Sequence, residues 1–214
     1  MNKSRVSSTY TVITAVIAWF ALALQLYLLI SRTPGNGMTP LLAVGRFLIF
    51  FTILSNLLVA VSLTIVLVKP GSSAGLFFAR PSSIAAVTCY IFIVGLVYNI
   101  VLRSIWQPRG LQQLADELLH VGVPVLFVLY WLLFASKRSL HWKHAFQWLL
   151  FPAAYFAYAL ARGALEGFYA YPFINVPELG YGRVGANAAG LLIIFLATGP
   201  GIVATGKKMS RGEQ

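Results

Sequence analysis

The chain has 214 residues, 59% of them hydrophobic and only 10% charged, which is too little polar surface to coat a water-soluble globule. At about 20 residues per crossing this length holds a single all-α bundle of about six transmembrane helices and leaves no room for a second domain. The net charge of +11 would point to nucleic acid in a soluble protein; here it lies in short loops and tails, where it selects topology and meets anionic lipid, so no nucleic-acid partner is expected.

The first apolar segment, residues 10–31, follows a basic amino end. It is too long for a signal-peptide core and lacks a small-x-small cleavage site, so a retained helix is expected. The second, 45–68, contains FLIFFTILSNLLVAV, in which Thr52, Ser55 and Asn56 share one face at three- and four-residue spacing. Hydroxyl and amide groups in hydrocarbon need partners inside the bundle, so this face points inward, with Thr52 about 10 Å below the start of its span. The third, 82–103, carries Cys89, a small buried hydrophobe without a partner for a disulfide, and ends in Tyr98, Asn99 and Arg103.

The fourth segment, 119–136, is preceded by LADELLH, with Asp116 and His120 four residues apart. Pro124 leaves the His120 carbonyl without its helical partner, and a bend or a bound water is expected beside the histidine. The fifth, 145–162, continues into a stripe of Tyr155, Tyr158, Arg162, Glu166 and Tyr169, in which Arg162 and Glu166 can pair. Tyr169 and Tyr171, like Trp106 and Trp142, are placed as interfacial anchors. The sixth, 184–205, holds Gly185, Ala189 and Gly190, expected at close helix contacts. Between the fourth and fifth, His141 and His144 form H-x-x-H without acids or cysteines nearby, so interface residues are expected rather than a metal site, and no cofactor is implied.

With the amino end inside, ten of the sixteen Lys and Arg residues fall on the cytoplasmic side and six, Arg32, Arg46, Arg103, Arg109, Arg162 and Arg183, on the other. Both termini are therefore expected in the cytoplasm of a multipass plasma-membrane protein. Thr52, Asn56, Asn99, Arg103, Asp116, His120, Arg162 and Glu166 then converge on one outer layer, while the inner halves of the same spans are apolar. A polar cavity in the outer leaflet follows, with membrane lipids as its natural partners. A threonine hydroxyl becomes a nucleophile when a neighbouring base takes its proton. Thr52 with His120 as base, and with Asn56, Asn99 or Arg103 as donors to an oxyanion, would make an acyl hydrolase. Ser55 and Tyr98 complete the polar lining.

These residues carry a resemblance. Through FFTILSNLLVAVSL, ADELLHVGVPVLFVLYWLLF and GFYAYPFINVPELGYGRVGAN, nearly the whole chain resembles the androgen-induced and androgen-dependent TFPI-regulating membrane proteins and their bacterial multipass relatives. The phrase LRSIWQPRGLQQLADELLHVGVPVLF is similar to the bacterial branch in particular. The animal members are threonine hydrolases of esters between fatty acids and hydroxy fatty acids, and their essential Thr and His correspond to Thr52 and His120. The chain departs from them around both: it reads TILSN where they place an acid or amide soon after the threonine, and LLHVGVPV in place of a longer His-rich stretch. The resemblance thus implies a fatty acyl ester as substrate, with its identity open.

The alternative is a non-enzymatic carrier or receptor for a lipid or small amphiphile, in which Arg103 or Arg162 matches an anionic oxygen; an assembly role is a third reading. Geometry separates the first two: a Thr52 hydroxyl more than about 5 Å from both His120 nitrogens favours binding alone.

Overall fold

The computed structural model describes residues 3–32 and 39–211. The first two residues of the basic amino end and the last three of the basic tail lie outside them. Among the described residues all regular structure is helical, and six helices are long and apolar enough to cross a membrane.

Helix α1 (Lys3–Ser31) buries a stripe of Ala15, Ala18 and Ala21 and turns Val12, Val16 and Phe20 outward. Small residues inside and large apolar ones outside is the pattern of a helix whose surroundings are as apolar as its core, where close backbone approach drives association. Its partner is α3 (Phe51–Val68), against which it packs through Val59, Ala60 and Leu63. Trp19 Nε1 donates to Thr64 Oγ1 at 3.0 Å, and Tyr10 donates to the Leu126 carbonyl at 2.9 Å. Interhelical bonds of this kind contribute about 0.6 kcal/mol each.

The expected span 45–68 is split. A short helix α2 (Pro40–Phe47), capped by Thr39, ends before Phe50, whose extended backbone (φ −85°, ψ 129°) starts α3 afresh at Phe51. Thr52 is therefore in the first turn of a helix and not two turns inside one. The loop after α3 contains α4 (Ser73–Phe78), and α5 (Pro81–Val97) continues through a widened π turn, Tyr98–Leu102.

The fourth span begins at Leu111, well before the expected 119. It comprises α6 (Leu111–Glu117), a second π turn at Leu118–Gly122, and α7 (Val123–Leu133). Asp116 and Glu117 are thereby helical. The π turn is the local response to Pro124, which has no N–H for the His120 carbonyl; the ladder widens ahead of it. That carbonyl faces Gly95 of α5, where an added Cβ would lie 3.2 Å from it and 3.3 Å from the Pro124 Cβ. Glycine at 95 thus permits the close approach of the two kinked segments.

The fifth span joins α8 (Trp142–Gln147) to α9 (Leu150–Glu166), and the sixth is α10 (Val176–Arg211), broken at Gly180 (φ 71°, ψ 158°). Gly185 and Gly190 face open space, contrary to the close packing expected there; the sixth span packs through Gly199 against Ala145 and Gly206 against Leu140. Helix α9 makes few close backbone approaches to any other helix. It is held by side chains instead: Phe51 meets the rings of Phe151 and Tyr155, and Tyr155 donates to the Ile49 carbonyl at 3.0 Å.

Candidate functional site

Thr52, at the N-terminal end of α3, and His120, in the π turn after α6, face each other with Oγ1 and Nε2 3.2 Å apart. The other ring nitrogen, Nδ1, lies 2.9 Å from the Asp116 backbone carbonyl and 3.3 Å from the Asp116 carboxylate. Both neighbours are acceptors, so Nδ1 carries the proton of the neutral ring and Nε2 presents a lone pair to the threonine. Tyr98 closes the arrangement. Its hydroxyl donates to the second Asp116 oxygen, and its ring stacks on the imidazole at 4.1 Å. Asp116 and His120 are largely buried, so these contacts act in a low-dielectric setting.

Asn56, fully buried one turn after Thr52, donates through Nδ2 to the Thr52 carbonyl at 2.8 Å and the Leu119 carbonyl at 3.1 Å. The second bond ties α3 to the π turn that carries His120. Its amide is thus committed to two carbonyls and sets the spacing of the pair. Ser55 is buried with no partner for its hydroxyl, and it lines neither cavity.

Four other expected contributors are elsewhere. Asn99 is exposed and donates to the Gly95 carbonyl of its own helix. Arg103 is exposed, paired with Glu117 at 2.8 Å and laid over the Tyr98 ring at 5.1 Å. Neither can serve as the oxyanion donor assigned to it. The physical reason is the π turn at Tyr98–Leu102, whose extra residue per turn changes the facing of everything after Tyr98. Arg162 and Glu166 pair at 2.5 Å, and Arg162 donates to the Tyr158 hydroxyl at 3.1 Å, away from both cavities.

Tyr171, read from the sequence as an interfacial anchor, is in the site. It sits between α9 and α10, next to the 3-10 turn Pro172–Ile174, in a frame of aromatic rings from Phe50 and Phe173. The Thr52 N–H donates to its hydroxyl at 3.2 Å, and the same hydroxyl lies 3.2 Å from Thr52 Oγ1. Burial pushes its phenol up from the ordinary range, so it stays protonated at neutral pH.

Two cavities meet at this cluster, and Thr52, Tyr98, Leu102, His120 and Tyr171 line both. The first, about 460 Å³, lies between α5, α9 and α10 and is walled by apolar side chains such as Val94, Phe156, Leu192 and Phe195. The second, about 520 Å³, runs toward α1 and α2 and adds Gln25, Gln112, Arg32 and Arg46. Gln112 donates to Gln25 at 2.7 Å. Arg46 lies over the Phe168 ring, and its Nε is buried without a hydrogen-bond partner.

No protein-family model, curated protein or solved structure matches the chain. Elsewhere, the H-x-x-H pair is used as a helix cap, the His141 N–H donating to His144 Nδ1 at 3.1 Å. Among the described residues no cluster of His, Cys, Asp and Glu could hold a metal ion.

Proposed function

We propose that this chain is a hydrolase of fatty acyl esters, with Thr52 as nucleophile and His120 as base. The observation that carries the reading is the 3.2 Å approach of Thr52 Oγ1 to a histidine nitrogen whose partner nitrogen is held by Asp116, at the junction of two cavities. A threonine that served only to bind would need no oriented base beside it. The apolar chamber suits one hydrocarbon chain and the second chamber the other half of the ester, so that the carbonyl comes to rest at their junction.

In the first step His120 Nε2 takes the Thr52 proton as Oγ1 bonds to the carbonyl carbon. The tetrahedral intermediate collapses, and the departing alkoxide takes the proton back from Nε2. A water then enters, loses a proton to His120 and attacks the acyl-threonine; collapse returns that proton to Thr52 and releases the fatty acid. Asp116 holds the ring and stabilises the imidazolium in each half-reaction.

The resemblance to the androgen-induced family points to the same pair and the same substrate class. Arg32 and Arg46 in the second chamber suit a leaving half that ends in a carboxylate. We further propose that the site lies on the non-cytoplasmic side of the plasma membrane, which the distribution of basic residues favours.

Purified protein in detergent should release fatty acid from such esters, and Thr52→Ala should lower turnover by at least about 10³-fold. Unchanged turnover in Thr52→Ala ends the hydrolase reading. The unpartnered Arg46 Nε also supports carriage of an anionic amphiphile without chemistry; that reading requires wild type and Thr52→Ala to bind the ester equally and neither to cleave it.

A further inference from the structure

We propose that Tyr171 is a further catalytic residue, whose phenol orients the Thr52 hydroxyl before attack and then, together with the Thr52 N–H, donates to the oxyanion. The inference rests on the hydrolase reading and goes beyond it by naming the groups that receive the negative charge.

The Thr52 N–H donates to the Tyr171 oxygen, and the neighbouring Tyr155 hydroxyl gives its proton to the Ile49 carbonyl, so the phenol proton can turn to Thr52 Oγ1, 3.2 Å away. Thr52 Oγ1 cannot send its own proton both to Tyr171 and to His120. With the phenol donating to Oγ1, the threonine proton is directed at His120 Nε2, and every hydrogen bond from Tyr171 through Thr52 and His120 to Asp116 runs the same way. This orientation presents the threonine ready for deprotonation.

Attack then changes what each donor faces. Once Oγ1 bonds to the carbonyl carbon, it becomes a poor acceptor, and the former carbonyl oxygen carries the charge within reach of the same two groups. The Thr52 N–H belongs to the first turn of α3, where N–H groups have no intrahelical acceptor, and Phe50 supplies no side-chain cap. The positive end of an 18-residue helix therefore faces the developing oxyanion beside a protonated phenol. No proton leaves Tyr171: it donates a hydrogen bond only, while the threonine proton resides on His120 and returns with the leaving alkoxide.

Elimination supports the assignment. Asn99 and Arg103 are exposed and otherwise engaged, the Asn56 amide is committed to two backbone carbonyls, and the Tyr98 hydroxyl is given to Asp116. Tyr171 is the side-chain donor that borders both chambers and touches the nucleophile.

The test compares wild type, Thr52→Ala, Tyr171→Phe and Tyr90→Phe on a p-nitrophenyl ester of a long-chain fatty acid in detergent micelles. Tyr90 is a control for losing a buried tyrosine hydroxyl, since it donates to the Trp148 carbonyl and lines neither cavity. Tyr171→Phe should lower kcat by about 10²–10³-fold with little change in KM, while Tyr90→Phe keeps wild-type kcat. Replacing Tyr171 by 3-fluorotyrosine, which keeps its shape and makes the phenol more acidic, should alter kcat and its pH profile. Thr52-dependent turnover that is unaffected by Tyr171→Phe, or a rise in KM alone, overturns the role of Tyr171 and leaves the hydrolase standing. No Thr52-dependent turnover at all removes both.

Discussion

His120 is held at Nδ1 by two acceptors from one residue, the Asp116 carboxylate and the Asp116 backbone carbonyl. The distinction sets the size of a mutational effect. Where a carboxylate alone fixes the tautomer, its loss costs roughly 10⁴-fold in turnover; here the carbonyl still holds the proton on Nδ1 after the carboxylate is gone. Asp116→Asn should therefore lower kcat by only about 10–10²-fold through the lost charge opposite the imidazolium, as measured by steady-state ester hydrolysis. A loss near 10⁴-fold would show that the backbone contact does not fix the ring. Tyr171 supplies a second residue-level outcome. Its phenol is raised by burial above the ordinary value of about 10, so the folded state keeps a proton that the unfolded chain gives up. The stabilisation is complete below about pH 10 and is lost as pH climbs through the raised value. Thermal unfolding in detergent should thus show a decline above about pH 10 that is smaller in Tyr171→Phe.

Elements explain which of these residues could be read in advance. Thr52, Asn56, Asp116 and His120 were legible because polar groups in apolar spans need one another, and the four-residue spacing of Asp116 and His120 survives the turn between them. Asn99 and Arg103 misled because spacing gives the face of a regular helix, and the helix ceases to be regular at Tyr98. Tyr171 was hidden for a different reason: it lies between spans, where an aromatic ring is ordinary, and its placement depends on how that segment folds back. Gly163 decides that fold. A Cβ there would lie 2.3 Å from Tyr169 Cε1, so the ring packs directly on the α9 backbone and anchors the segment that carries Tyr171. Gly163→Ala should cost about 1–3 kcal/mol by overpacking and reduce ester turnover along with the melting temperature. Activity retained at full level would mean that Tyr171 is positioned without that anchor.

At the scale of the whole molecule, the six apolar segments were plain from composition, but the two chambers were not. Their walls come from different sets of helices, α5, α9 and α10 for one and α1, α2 and α6 for the other, and no pattern along the chain reports that meeting. On the hydrolase reading, the division sets which acyl lengths are accepted. Ala188→Trp fills the apolar chamber from α10, and it should reduce turnover of long acyl esters by at least about tenfold while short acyl esters continue to be cleaved, one lost pocket for methylenes being worth a few kcal/mol. An equal loss for both lengths would assign the chain to the other chamber.

Helix α9 forms a wall of the apolar chamber, yet side chains, among them the rings packed on Phe51 and the Tyr155 hydroxyl, tie it to the centre of the bundle more than backbone approach does. On the hydrolase reading, a wall fastened mainly by side chains gives an ester dissolved in the bilayer a sideways way in at little cost in helix–helix backbone packing. If the proposed hydrolysis proceeds this way, the governing concentration is the mole fraction of ester among the lipids and not its molarity in water. Diluting the membrane with inert lipid at constant total ester should therefore slow the reaction, as it would any encounter confined to two dimensions.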